Sequence, residues 1–146
     1  MTWAFNDIAT FGKDGNAERD LYADFLDEAA ITLNRPALGE AAAGFREAAV
    51  AWNALGQALL PDEVEPLRET RERLLRRHAL FMDEGDAATV ALRDIDARLA
   101  AIRAAAVDFP LDAAGVTAFR ERIAGHVLRL HDIEAAAVTA LRAAMS

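Results

Sequence analysis

The stretch ALGEAAAGFREAAVAWNALGQALL, residues 37–60, decides the fold. Leu38, Ala42, Phe45, Ala49, Trp52, Leu55 (or Gly56) and Leu59 recur at spacings of three and four. That spacing draws one apolar stripe along a helix. Gly44, Ala48 and Gly56 carry little or no side chain, so a second helix can approach closely there. Nothing in the stretch alternates in the period-two manner of a strand.

Working outward, the same period returns on both sides. Before it, Leu21, Tyr22, Phe25, Leu26, Ala29 and Leu33 predict a helix over 17–33 with those residues as its buried stripe. Asp14 or Asn16 can cap it. Asn34-Arg35-Pro36 breaks it, and Pro36 can start the next helix. After it, residues 61–66 connect to a charged helix over 64–83, with Leu67, Leu74, Leu75, His78, Phe81 and Met82 on its apolar side. Glu69 with Arg73 and Glu72 with Arg76 stand four apart in the favourable order. Gly85 reads as a left-handed stop and Asp86 as the cap of a helix over 87–107. Val90, Ile95, Leu99, Ile102 and Ala106 mark its stripe, and Asp94 with Arg98 adds a pair. Asp108-Phe109-Pro110 ends it. Asp112 opens a last helix over 113–145, striped by Val116, Phe119, Ile123, Val127, Leu130, Ile133, Val138 and Leu141. Gly115 and Gly125 are points where it can bend. The expected architecture is all-α: an up-and-down bundle of four to five helices (residues 16–146) with an N-terminal arm and turn (residues 1–15) packed across it.

Composition bounds the function more than it names it. The chain has 146 residues, 16 Lys+Arg against 24 Asp+Glu, and a net charge of −8. That length fits a single domain with its own core. The acidic balance argues against a phosphate-backbone partner, so no nucleic acid is expected. With no cysteine there is no thiol nucleophile, thiolate metal site or redox pair. No apolar run approaches a membrane span, and the first residues lack a basic segment and a long apolar core. The expectation is a cytoplasmic protein with no membrane association.

Arg19-Asp20-Leu21-Tyr22-Ala23-Asp24-Phe25-Leu26-Asp27-Glu28-Ala29-Ala30 resembles a known signature, Phe-Arg-x-x-Tyr-x-x-Phe-Leu-x-Glu-Ala. That signature belongs to a helical domain of unknown function that follows a butirosin-H-type N-terminal domain. Phe11-Gly12-Lys13-Asp14-Gly15 is similar to the Gly-rich turn before the family's first helix, and Phe45, Trp52, Leu55 and Leu59 are similar to its second helix. His131-Asp132-Ile133-Glu134 to Leu141 is similar to its Glu-bearing final helix. Ala17-Glu18 stand where the signature carries an aromatic residue before the Arg. The resemblance implies acyltransferase-like proteins of specialised metabolism, whose catalytic residues lie in a papain-like N-terminal domain absent from this chain. It implies an accessory subunit beside a separate papain-like acyltransferase or carrier-protein chain.

The polar members of that signature are the first candidates for a binding site. Arg19 sits in the first helical turn, where the helix dipole disfavours a cation, so a carboxylate or a bound anion should compensate. Tyr22 and Glu28 accompany it, and Trp52 and Glu134 are candidates from the second and last helices. Arg68, Arg71, Arg76 and Arg77 lie in a basic run with Arg73 that could dock an acidic partner, although Glu65, Glu69 and Glu72 are interleaved with it. Gly12-Lys13-Asp14-Gly15 before a helix could hold a phosphate, but it lacks P-loop spacing and Asp14 opposes an anion.

No metal or other cofactor is expected. His126 and His131 are five apart, so they do not share a helix face, and His131 with Glu134 reverses the Glu-x-x-His order of di-iron bundles. Ser146 is the only serine, and no catalytic motif is recognised. The expected function is therefore a non-catalytic accessory or interaction protein, dimeric or partnered. The alternative is a self-contained small-molecule-binding bundle or small enzyme, its site between helices near Arg19, Tyr22, Trp52 and Glu47 or Glu134.

Overall fold

The long stripe folds as read. In the computed structural model, which describes residues 2–10, 15–108 and 110–146 apart from the side chains of residues 107 and 108, helix α3 spans Ala37–Leu59. Pro36 precedes it with helical angles, φ −60° and ψ −25°. Leu38, Ala42, Phe45, Ala49, Leu55 and Leu59 are buried along it. Helix α6, Ala113–Met145, runs beside it without a break at Gly115 or Gly125. Its 33 residues extend about 50 Å. Asp112 caps it, its Oδ1 accepting from the Gly115 N–H at 2.7 Å. The two helices approach closely at Gly44, where a Cβ would stand 3.0 Å from the Ala137 Cβ and 3.2 Å from its Cα. Only glycine fits that crossing without a shift.

Helix α2, Arg19–Thr32, lies on α3 in a different rotation from the one its large residues suggest. Ala23 and Leu26 are buried against Leu38, Ala41, Ala42 and Phe45 of α3 and Ala137 of α6. Leu21 and Phe25 face outward, 57% and 59% exposed, and Leu33 is exposed as well. The helix has two apolar faces, and the smaller side chains won the core. Ala23 and Ala30 let the α2 backbone lie close to the alanines of α3, whereas a Leu–Phe face would hold it off. Arg46 of α3 fastens this packing, donating to Asp24 Oδ1 at 2.9 Å and to Asp27 Oδ2 at 2.6 Å.

Part of the expected arm is a helix, α1, Thr2–Ala9. Phe5 and Ile8, three apart, go into a core cluster with Leu55, Leu59 and Leu60, Leu74 of the next helix, and Leu130 of α6. The turn residues Phe11 to Asp14 lie outside the described residues. Gly15 has φ +70°, and a Cβ there would lie 3.1 Å from the Ala9 carbonyl oxygen. The chain therefore passes tightly under the end of α1 before Ala17 and Glu18, both left-handed at φ 52° and 62°, turn it into α2. Asn16 is buried and its amide engages the Asp20 side chain, while Glu18 occupies the cap position.

Helices α4, Glu65–Glu84, and α5, Thr89–Ala104, form a hairpin. Gly85 takes φ 53° and opens a 3₁₀ turn, Gly85–Ala88, that replaces the expected first turn of α5. The Asp86 side chain makes no cap; Thr89 instead donates its hydroxyl to the Asp86 carbonyl at 2.7 Å. A second 3₁₀ turn, Ala105–Asp108, ends α5. Leu80, Ala88 and Ile95 form the core of the hairpin, leaving Phe81, Met82 and Val90 exposed. Among the described residues, α4 comes close in its backbone to α1 and α5, and to neither α3 nor α6. The hairpin is thus joined to the layer of α2, α3 and α6 through α1 and through Leu74 of α4 in the shared cluster. The fold is an all-α bundle, and among the described residues no strand forms. No described helix is long and apolar enough to cross a membrane.

Candidate functional site

Three of the residues singled out from the sequence meet at one point. The left-handed turn at Ala17 and Glu18 starts α2 so that Arg19 faces α6. Arg19 donates from Nε to Glu134 Oε1 at 2.6 Å and from Nη2 to Oε2 at 3.3 Å. Its Nη1 donates to the Ala17 carbonyl at 3.0 Å, holding the turn that positions it. Trp52 of α3 donates its indole N–H to the same Glu134 Oε1 at 2.7 Å, and the guanidinium lies 5.8 Å from the centre of the indole ring. One carboxylate thereby links α2, α3 and α6.

The electrostatics follow from that geometry. Partial burial pushes the Glu134 carboxyl up, but the hydrogen bonds from Arg19 and Trp52 and the Arg19 charge outweigh it, and the group sits below the ordinary value of 4.5. An ionised Glu134 is what the arrangement needs, and it is what compensates Arg19 at the positive end of α2. Both Glu134 oxygens and every Arg19 nitrogen are engaged within the protein. The cluster is a staple across three helices that keeps about a third of each charged side chain exposed. Glu134→Gln should cost about 1.5 kcal/mol at neutral pH, less than a fully buried ion pair would because the site is partly solvated. A group with a depressed folded pKa stabilises above its ordinary value and loses that contribution as pH falls through the folded value. The gap between the parent and Glu134→Gln, measured by urea denaturation, should therefore narrow as pH drops below 4.5.

The remaining signature residues lie outside the staple: Tyr22 covers the rim of the α2–α3 core, and Glu28 faces outward. Tyr22 stands edge-on to Phe45, centroids 4.7 Å apart, and near Phe25 at 6.1 Å. It is half-exposed, and Glu28 is exposed without an ion pair among the described residues. Leu21, Phe25 and Glu28 follow one another at spacings of four and three, so they share the outward face of α2. Sequence periodicity placed the aromatics inside because it does not separate a small-residue face from a large one. The signal that could have done so is the alanine content of the facing α3.

The arginine run is mostly spoken for. Arg68 pairs with Glu65 at 3.4 Å and Glu72 at 4.0 Å, and Arg77 reaches Asp96 of α5 at 2.9 Å. Arg71 pairs with Asp62 and donates to the Leu60 carbonyl at 2.9 Å. Arg73 meets Glu69 at 2.7 Å as the spacing suggests, while Arg98 crosses to the same Glu69 at 2.7 Å instead of pairing with Asp94. Hydrogen bonds from Arg98 and then Arg73 hold the Glu69 carboxyl down to about 2. Arg76 alone of the four proposed docking arginines is exposed and unpaired among the described residues. Glu47 is exposed on α3 and makes no ion pair among the described residues. His131 is exposed beside Asp132, and among the described residues no three His, Asp or Glu side chains converge as a metal site would require.

Comparisons with family models, with curated proteins and with solved structures find no match to this chain.

Proposed function

We propose that this chain is a non-catalytic helical interaction module that docks a separate catalytic chain through the outward face of α2. One observation carries the reading: the signature divides into inward and outward halves. Arg19, Leu26 and Ala29 turn to the bundle, while Leu21, Tyr22, Phe25 and Glu28 are presented to solvent. A leucine and two aromatic side chains on one exposed face, rimmed by a carboxylate, make an apolar patch of the kind that marks a protein-interaction surface. The Arg19–Glu134–Trp52 staple supports the same reading, because it engages those polar residues with one another across three helices. The resemblance of residues 19–30 supplies the class of partner: a papain-like acyltransferase chain of specialised metabolism, with the reaction on the partner.

The test is affinity capture from the source cells, using the parent chain and Phe25→Ser as parallel baits. Phe25 is 59% exposed, so the variant should keep its fold and its thermal midpoint. The expected result is a stoichiometric acyltransferase-type chain retained by the parent and weakened at least tenfold by Phe25→Ser. A homodimer that both baits form equally, with no catalytic partner, would overturn the proposal.

A further inference from the structure

A groove of about 770 Å³ remains open beside α1, between α4 and α6, whose backbones do not approach closely although Leu74 of α4 and Leu130 of α6 share one core cluster. The α4 wall carries Arg71, Leu75 and His78, spaced four and three apart on one helix face. The α6 wall carries Arg122 and His126, four apart on one face. Asn53 and Gln57 of α3, also four apart, line the groove between them. Two of the three histidines in the chain thus share one groove, and the proposed function uses neither.

The charges in it are unevenly engaged. Arg71 is held by Asp62 and the Leu60 carbonyl, so it closes one end as a neutral pair. Arg122 lies 5.4 Å from the Phe119 ring centre and has no carboxylate partner among the described residues. Glu63 is the remaining acid of the lining, and it sits on the α3–α4 connector rather than on α6. Glu121 adjoins Arg122 in sequence but lies about 100° round the helix. The α6 wall therefore offers a fixed cation and an imidazole donor, with two carboxamides nearby, in a protein of net charge −8. Leu75, 44% exposed, supplies an apolar surface opposite. The volume lies in the range of small-molecule sites.

We infer that this groove binds a small organic anion, its oxyanion head on Arg122 and His126 and its apolar part against Leu75. The site is separate from the α2 face and does not depend on the docking proposal.

The test is a titration of the intact chain with 8-anilinonaphthalene-1-sulfonate, followed by fluorescence and by ¹⁵N amide shifts. N-phenyl-1-naphthylamine serves as the uncharged control. The expected result is saturable one-site binding with shifts centred on residues 71–78 and 122–126. The uncharged analogue and Arg122→Gln should each bind at least tenfold more weakly. His126→Gln is the second variant, expected to weaken binding severalfold, and helical circular dichroism checks that both fold. Absence of saturation at millimolar probe, shifts centred on α2, or parent-like affinity in both folded variants would each overturn the inference.

Discussion

Phe45→Ala should lower stability by about 4 kcal/mol, the largest effect expected of any single truncation in this chain. Phe45 is 5% exposed in the cluster where Leu26 and Ala23 of α2, Leu38 and Ala42 of α3, and Ala137 of α6 meet. Its ring also takes the edge-on contact with Tyr22 at 4.7 Å. Removing it leaves a cavity bounded by three helices, and those helices are fixed by close alanine contacts that leave little room to collapse. The thermal midpoint should fall by about 10–15 °C, at the few degrees per kcal/mol of a chain this size. A loss under about 1 kcal/mol in urea denaturation would mean that α2 does not pack on α3 in this rotation. Because Tyr22 rests on Phe45, the same variant should also loosen the outward face, which ties the core to the docking surface.

Gly44→Leu should cost about 3 kcal/mol, through overpacking rather than loss of contact. Leucine is the better helix former by about 0.8 kcal/mol, so propensity alone predicts a gain. The geometry reverses that sign. Even a Cβ at residue 44 would press on the Ala137 Cα at 3.2 Å, and backbone cannot swing aside as a long side chain can. The α3–α6 pair must separate, and the Trp52–Glu134 hydrogen bond further along the same interface must lengthen with it. Loss of stability together with a raised pH for the Glu134 transition would show the two sites coupled. A stabilised Gly44→Leu would show that the helices do not approach this closely.

How much of this was legible in the sequence depends on what each residue competes against. The α3 stripe and the full extent of α6 were readable, because one strong period and one clear cap, Asp112, decide them without tertiary help. The Arg19 compensation was readable as a need, from its place in the first turn of α2, but not as a partner. Glu134 lies 115 positions away, and only the packing of α2 and α6 on α3 brings it in. The rotation of α2 departs from the periodicity for a physical reason: side-chain size alone does not mark the core, because an alanine-rich neighbour favours the face that allows closest approach. The arm gives no helix signal of its own because α1 has only eight residues, about two turns, too short to be stable without the cluster that Phe5 and Ile8 enter. The groove is not visible in the sequence, since it arises where the α4 and α6 backbones stand apart beside their shared Leu74–Leu130 cluster. Its sequence traces are only the ordinary helical spacings of its walls, such as Arg122 and His126 four apart.

The central claim is that the outward face of α2, and not the staple beneath it, is where this chain meets its partner. Native mass measurement of the captured complex tests it most directly, comparing the parent, Leu21→Ser with Phe25→Ser combined, and Glu134→Gln. The expected result is a one-to-one complex with a catalytic chain for the parent and for Glu134→Gln. The doubly substituted chain should be free, with an unchanged helical spectrum. A complex that survives the double substitution and is lost with Glu134→Gln would contradict the claim and place recognition at the staple.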